Sequence, residues 1–170
     1  TDPVHRVDIQ WGYSYLYPAR VVAAHVTRWG ERPIKFGVDV ALSGRFGVDL
    51  YLDQLSPEET ETLRQGIETA KAIRDVVQLG DQYRLLRTET CTSVMFVSPD
   101  QERAIVFVYP VGDSPATRLR LKGLLPEAEY DVREINGETG FAARRIRMAD
   151  GLDISARKAY ASLVLELEAI

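Results

Sequence analysis

Val21-Val22-Ala23-Ala24-His25-Val26, then Pro33 through Leu42, then Phe46-Gly47-Val48-Asp49-Leu50-Tyr51-Leu52 form the stretch whose reading decides the fold. The first apolar run is too short for a helix and has the unbroken hydrophobicity of a fully buried parallel strand. Pro33 suits the first turn of a helix through Leu42, and Ser43-Gly44 ends it. Phe46 to Leu52 is a second strand candidate. Strand alternating with helix implies a parallel sheet or barrel. Two such units cannot close that sheet alone, so partners from outside these residues are expected.

Working outward, Ser56-Pro57-Glu58-Glu59 announces a second helix. Ser56 is a good N-cap, Pro57 fits the first helical position, and Glu59 completes a capping box. Leu63, Ile67, Ala70, Arg74 and Val77 share one face, mostly apolar. Glu58, Glu59 and Glu61 sit at the positive end of the helix dipole, and Lys71 and Arg74 come later. Upstream, Val4, Val7, Ile9, Trp11 and the run Tyr13-Ser14-Tyr15-Leu16-Tyr17 read as a buried helix that Pro18 stops. The chain opens directly into this helix at Thr1-Asp2-Pro3-Val4, with no initiator Met. The expectation is the C-terminal piece of a larger enzyme.

Beyond residue 80 the pattern changes to short strands. Ser93 to Val97 meets Ala104 to Tyr109 across Ser98-Pro99-Asp100-Gln101-Glu102, a hairpin with turn residues in place. Thr117, Leu119 and Leu121 alternate with Arg118, Arg120 and Lys122, as in a half-buried strand. Tyr130 to Ile135 follows, ended by Asn136-Gly137, and Tyr160 to Glu168 closes the series. Strands at such spacing predict an antiparallel β-sandwich.

The 170 residues carry a net charge of −4 with 45% hydrophobic and 27% charged side chains. That composition fits a packed globular chain and argues against nucleic acid as a partner, which needs a basic field. No apolar run approaches a membrane span of roughly 20 residues. The single Cys91 excludes an internal disulfide and a Cys-rich metal site. His5 and His25 lack ligand neighbours at metal spacing. His25 reads as a hydrogen-bonded structural residue at a strand end. No metal is expected.

Carboxylates are the other candidates. Asp2, Asp8, Asp39, Asp49 and Asp53 lie in the strand–helix part. Catalytic groups of barrels sit where strands end, so Asp49 and Asp53 qualify by position. A hydrogen-bonded Asp near a helix start is the plainer reading of Asp53. Gly44-Arg45-Phe46-Gly47 lacks phosphate-loop spacing, and Ser14, Ser43 and Ser93 sit in no nucleophile elbow. Cys91 reads as a small buried side chain. Trp11, Trp29, Tyr13, Tyr15 and Tyr17 would suit either a sugar-stacking surface or a core helix. These residues alone define no reaction.

Longer segments carry a resemblance. Thr1-Asp2-Pro3-Val4, Ile9 to Ser14, Tyr17-Pro18, Ala24-His25-Val26, Phe36 to Leu50, Leu55 to Glu59 and Gln78 to Leu85 occur in order. Together with Arg118 to Leu124 and Tyr130, they resemble the melibiase-type α-galactosidases of glycoside hydrolase family 36. The resemblance implies an α/β plus all-β chain. Residues 1–78 would be the end of a (β/α)8 barrel and residues 79–170 a C-terminal antiparallel β-sandwich. It implies a retaining enzyme acting on galactose-containing oligosaccharides, with no cofactor, in the cytoplasm, and possible as a homo-oligomer.

The family's nucleophile lies in a Lys-Trp-Asp-type segment that this sequence does not contain, and its Cys-Ser-Gly-Gly-Gly sugar-binding segment is also missing. Its acid/base aspartate belongs to a Ser-Asp-x-Thr-Asp stretch whose last two residues match Thr1-Asp2. The acid/base would therefore fall just before Thr1, and no catalytic residue is assigned within the chain. Asp2, Trp11 and Asp53 remain candidates for substrate binding, with Asp2 able instead to cap the following helix. A non-catalytic carbohydrate-binding or interaction module is the alternative. A related enzyme acting on N-acetylgalactosamine or transferring galactose would share the resemblance.

Overall fold

The structure, a computed structural model, describes residues 1–28, 30 and 32–170. It is a mixed helix-and-sheet chain whose larger part is antiparallel sheet. Helix α1 (Pro3–Tyr13) leads to strand β1 (Ala23–Val26), helix α2 (Ile34–Leu42) and strand β2 (Arg45–Val48). β1 and β2 pair in parallel, Ala24 beside Phe46 and Val26 beside Val48, as the strand–helix–strand pattern requires. Helix α3 (Pro57–Leu79) follows, with the expected capping box: Ser56 Oγ accepts from the Glu59 N–H, and Glu59 accepts from the Ser56 N–H. Its buried stripe is Leu63, Gly66, Ile73, Val76 and Val77, and Arg74 points outward.

α3 passes through Gly80 directly into strand β3 (Asp81–Arg87). A Cβ on Gly80 would lie 2.3 Å from the Val97 carbonyl and 2.5 Å from that of Val76, so only glycine allows the helix to turn onto the sheet there. Strands β4 (Cys91–Val97) and β5 (Arg103–Pro110) form the expected hairpin, closed by Gln101 in a left-handed conformation at φ 62°. β6 (Thr117–Leu119), β7 (Glu129–Glu134), β8 (Arg144–Arg147), β9 (Leu152–Ile154) and β10 (Leu163–Ala169) complete the chain. One six-stranded sheet runs β3-β4-β5-β10-β7-β8, and β6 pairs with β9 in a separate ribbon.

The six-stranded sheet is covered on both faces, which explains why β4 and β5 are apolar almost throughout. Met95, Val97, Val106, Val108, Leu163 and Leu165 face the β6–β9 ribbon with Leu119, Leu124, Leu152 and Ile154. The alternate residues Val94, Phe96, Ile105, Phe107, Tyr109 and Val164 face Phe36, Val40, Ile73 and Val77 of the helices. The sandwich expectation is thus corrected in one respect. The second β layer is a two-stranded ribbon, and helices cover the other face.

Four further expectations change. β1 alternates between exposed and buried rather than being fully buried, since nothing among the described residues packs on its outer side. α1 stops at Tyr13, not at Pro18, and Tyr13, Tyr15, Leu16 and Tyr17 are exposed, so the aromatic run is no core helix. β2 ends at Val48, and Leu52–Gln54 is a short 3-10 turn. β10 starts at Leu163 because Tyr160 takes a left-handed φ of 65°.

Candidate functional site

In α/β sheets ligands bind beyond the carboxyl ends of the parallel strands. Here those ends are Val26 and Val48, and three loops meet above them. Thr27 Oγ1 donates to the Thr1 carbonyl at 2.9 Å, tying the loop after β1 to the start of α1. Arg28 donates to the Gln54 carbonyl at 3.1 Å and to Glu59 at 3.1 Å, tying the same loop to the start of α3. Pro3, Thr27, Arg28, Arg32, Leu55 and Glu59 line a cleft of about 200 Å³.

Asp2 stands at the edge of this cleft, 8% exposed. One carboxylate oxygen accepts from the Val4 N–H at 2.9 Å as the N-cap of α1. The other accepts from Arg32 Nη1 at 2.5 Å. The Arg32 guanidinium lies 5.4 Å from the centre of the Tyr160 ring. The Tyr160 side chain first, and Asp2 after it, hold Arg32 protonated beyond its ordinary range. Arg32 Nε is buried and has no hydrogen-bond partner among the described residues.

Glu59 lines the cleft and Asp2 stands beside it, and both carboxylates are committed to structural partners. Asp2 caps α1 and binds Arg32; Glu59 closes the α3 capping box and binds Arg28. Each is held as an acceptor in a fixed position, a poor arrangement for a nucleophile or for a proton donor. A cleft edge with positioned charges but no free acid pair is what the described residues supply.

Asp53 is exposed in the 3-10 turn after β2, and Asp49 is exposed one residue beyond the strand, so both lie on the face that holds Asp2. Trp11 lies elsewhere. Nine residues along α1 at 1.5 Å each separate it from Asp2 by about 13 Å. It is half-buried beneath the Arg87 guanidinium, 5.5 Å from the ring centre, and lines a small cavity with Gln10, Ser43 and Tyr109 near the amino ends of the strands. Tyr15 similarly lies under Arg84, at 3.7 Å. Trp29 lies outside the described residues.

His25 is corrected: it is exposed, its side chain has no hydrogen bond among the described residues, and it lies over Gly47, where an added Cβ would meet its ring at 2.5 Å. His5 and Asp8 are exposed on α1, Asp8 bound to Arg87 at 3.0 Å. Cys91 is buried, and burial pushes its thiol up, away from the reactive thiolate. Among the described residues no group of three His, Cys, Asp or Glu side chains could hold a metal, and no helix is long and apolar enough to cross a membrane.

Sequence reasoning missed Arg28, Arg32 and Tyr160. Two arginines four apart, directly after a strand, were the available signal for the first pair. Nothing local marks Tyr160, which reaches Arg32 only because the β9–β10 connection folds back over α2.

The strand–helix part joined to an antiparallel sheet has the fold of a segment found in known glycoside hydrolases. Residues 1–80 match the melibiase family model and residues 91–167 match the glycosyl hydrolase family 36 C-terminal domain. The α-galactosidase AgaA of Geobacillus stearothermophilus is 34% identical over 143 residues, 78% of this chain and 20% of that protein. The probable α-galactosidase G of Aspergillus terreus is 31% identical over 180 aligned positions, 99% of this chain and 24% of that protein. A crystal structure of an AgaA variant with raffinose superposes with a TM-score of 0.89 at 30% identity, covering 100% of this chain and 25% of that one. The chain belongs to glycoside hydrolase family 36. It spans about a fifth to a quarter of the length of the relatives named.

Proposed function

We propose that these residues are the C-terminal part of a retaining α-galactosidase that removes terminal α-linked galactose from oligosaccharides. Residues 1–78 are then the end of its (β/α)8 barrel and residues 79–170 its C-terminal antiparallel domain. One observation carries the reading. Asp2, three positions after the place of the family's acid/base in the Ser-Asp-x-Thr-Asp stretch, caps α1 at the carboxyl end of the β1–β2 pair, the end at which barrel enzymes keep their chemistry. Solved relatives hold raffinose and stachyose, which supports galactose-containing oligosaccharides as the substrate class.

Retention requires two carboxyl groups about 5–5.5 Å apart. The nucleophile forms a bond to the anomeric carbon while the acid gives its proton to the leaving oxygen, and the glycosidic bond breaks. The resulting carboxylate then takes a proton from water, whose oxygen attacks the same carbon and releases galactose with its configuration kept. Neither group is assigned to these residues. Their part is to hold the ends of α1, β1 and β2 in register through Asp2, Arg32 and Arg28.

The test is an assay with an aryl α-galactoside. A longer polypeptide carrying residues upstream of Thr1 is expected to turn over, whereas the 170-residue chain alone shows no activity. Robust turnover by the short chain would overturn the proposal. Calorimetric titration of the short chain with raffinose separates the binding-module alternative, which requires specific binding that survives deletion of residues 1–78.

A further inference from the structure

We propose that Tyr160, from the antiparallel sheet part, is a positioning residue for the sugar-cleaving site: through Arg32 it sets Asp2 and so the start of α1. This rests on the reading above.

Three features support it. First, Tyr160 holds a left-handed backbone conformation at φ 65°, which a bulky residue adopts only when its surroundings impose it. The flanking chain does impose it. Tyr160 N–H donates to the Pro110 carbonyl at 2.7 Å, the Ala159 N–H donates to Asp113 at 3.0 Å, and Lys158 pairs with the same carboxylate at 2.8 Å. Second, the conformation has a consequence. It lays the ring against Phe36 of α2, with centroids 5.3 Å apart, and under the Arg32 guanidinium at 5.4 Å. Third, among the described residues Arg32 pairs with one carboxylate, Asp2, at 2.5 Å, and that carboxylate also fixes the first turn of α1. The path from the sheet part to the cleft therefore runs through three side chains, two of which touch the cleft edge. A ring that merely filled a core would need neither the strained backbone nor the guanidinium above it.

Displacement of a reacting group by as little as 1 Å can cost on the order of 100-fold in rate. In the longer active polypeptide, Tyr160→Leu is expected to lower kcat on an aryl α-galactoside by roughly 10- to 100-fold, with KM within about twofold. Tyr160→Phe keeps the ring under Arg32 and is expected to restore most of kcat. Arg32→Lys, which leaves the sheet part untouched, is expected to reproduce the kcat loss, because an ammonium cannot stack and pair as the guanidinium does. Thermal melts accompany each variant. If Tyr160→Leu lowers the melting temperature while kcat per folded enzyme is unchanged, the role is structural and the proposal falls. It falls equally if Arg32→Lys keeps full kcat, a result that stands even where Tyr160→Leu fails to fold. Absence of α-galactosidase activity in the unaltered polypeptide would overturn the underlying reading instead, and this one with it.

Discussion

Asp39 is completely buried on α2, and its oxygens meet Lys35 Nζ at 2.5 Å, Ser162 Oγ at 2.5 Å and the Asn136 side-chain amide. Its backbone carbonyl accepts from the Tyr109 hydroxyl at 3.1 Å. Four elements or loops thus converge on one residue, joining the strand–helix part to the sheet. Burial pushes the Asp39 carboxyl up, outweighing Lys35, Ser162 and Asn136, which all pull it down. With the folded pKa raised above the unfolded one, the native state binds more protons between the two values. This contribution is therefore fully present below the ordinary carboxylate pKa and is lost as pH rises through the folded one. Asp39→Asn removes it. Urea unfolding of both proteins from pH 4 to pH 8 is expected to show wild type gaining stability relative to Asp39→Asn as pH falls. The opposite slope would contradict the burial argument. Asp39→Ala is expected to cost about 3–5 kcal/mol, since it leaves Lys35 without its partner and buried donors unpaired.

At the scale of elements, α3 shows what local sequence can specify. Its start rests on Ser56, Pro57 and Glu59, neighbours in the chain, so the capping box was legible and is present. Ser56→Ala is expected to cost about 1 kcal/mol in thermal or urea unfolding. The buried stripe was legible from its period, but the role of Gly66 was not. A Cβ there would lie 2.3 Å from Val38 Cγ1 on α2, a stiff side chain in a closed core. Gly66→Ala is therefore expected to destabilise by about 1–3 kcal/mol, although alanine is the better helix former, and a stabilised variant would refute the close-approach argument. Strands β3, β8 and β9 escaped sequence reading for a related reason. β8 carries Arg144, Arg145 and Arg147 on the sheet edge, and Arg145 and Arg147 pair with Glu129 and Asp131 of β7. Charge at an edge strand guards against further pairing and leaves no alternation to detect.

At the scale of the whole molecule, the exposed large apolar side chains fall mainly between Ile9 and Leu52, among them Leu16 at 77% and Tyr51 at 76%. β1 and β2 pair only with each other among the described residues. Open parallel edges beside exposed apolar side chains favour association. The isolated 170-residue chain is therefore expected to self-associate in light scattering at high concentration. Leu16→Lys combined with Tyr51→Lys should shift it toward the monomer, and an unchanged mass distribution would show that another surface is responsible.

What the sequence determined by itself was set by neighbours in the chain: the α3 caps, the β4–β5 hairpin, the strand–helix–strand order, and the family that its segments resemble. What tertiary structure alone decided was which distant side chains meet. Arg32 finds Tyr160, Asp39 finds Asn136 and Ser162, Gly66 finds Val38, and Trp11 lies at the opposite end of α1 from Asp2. The physical reason is that periodicity and capping act over a few residues. The position of a buried charge or a cleft arginine depends instead on packing between segments far apart in the chain.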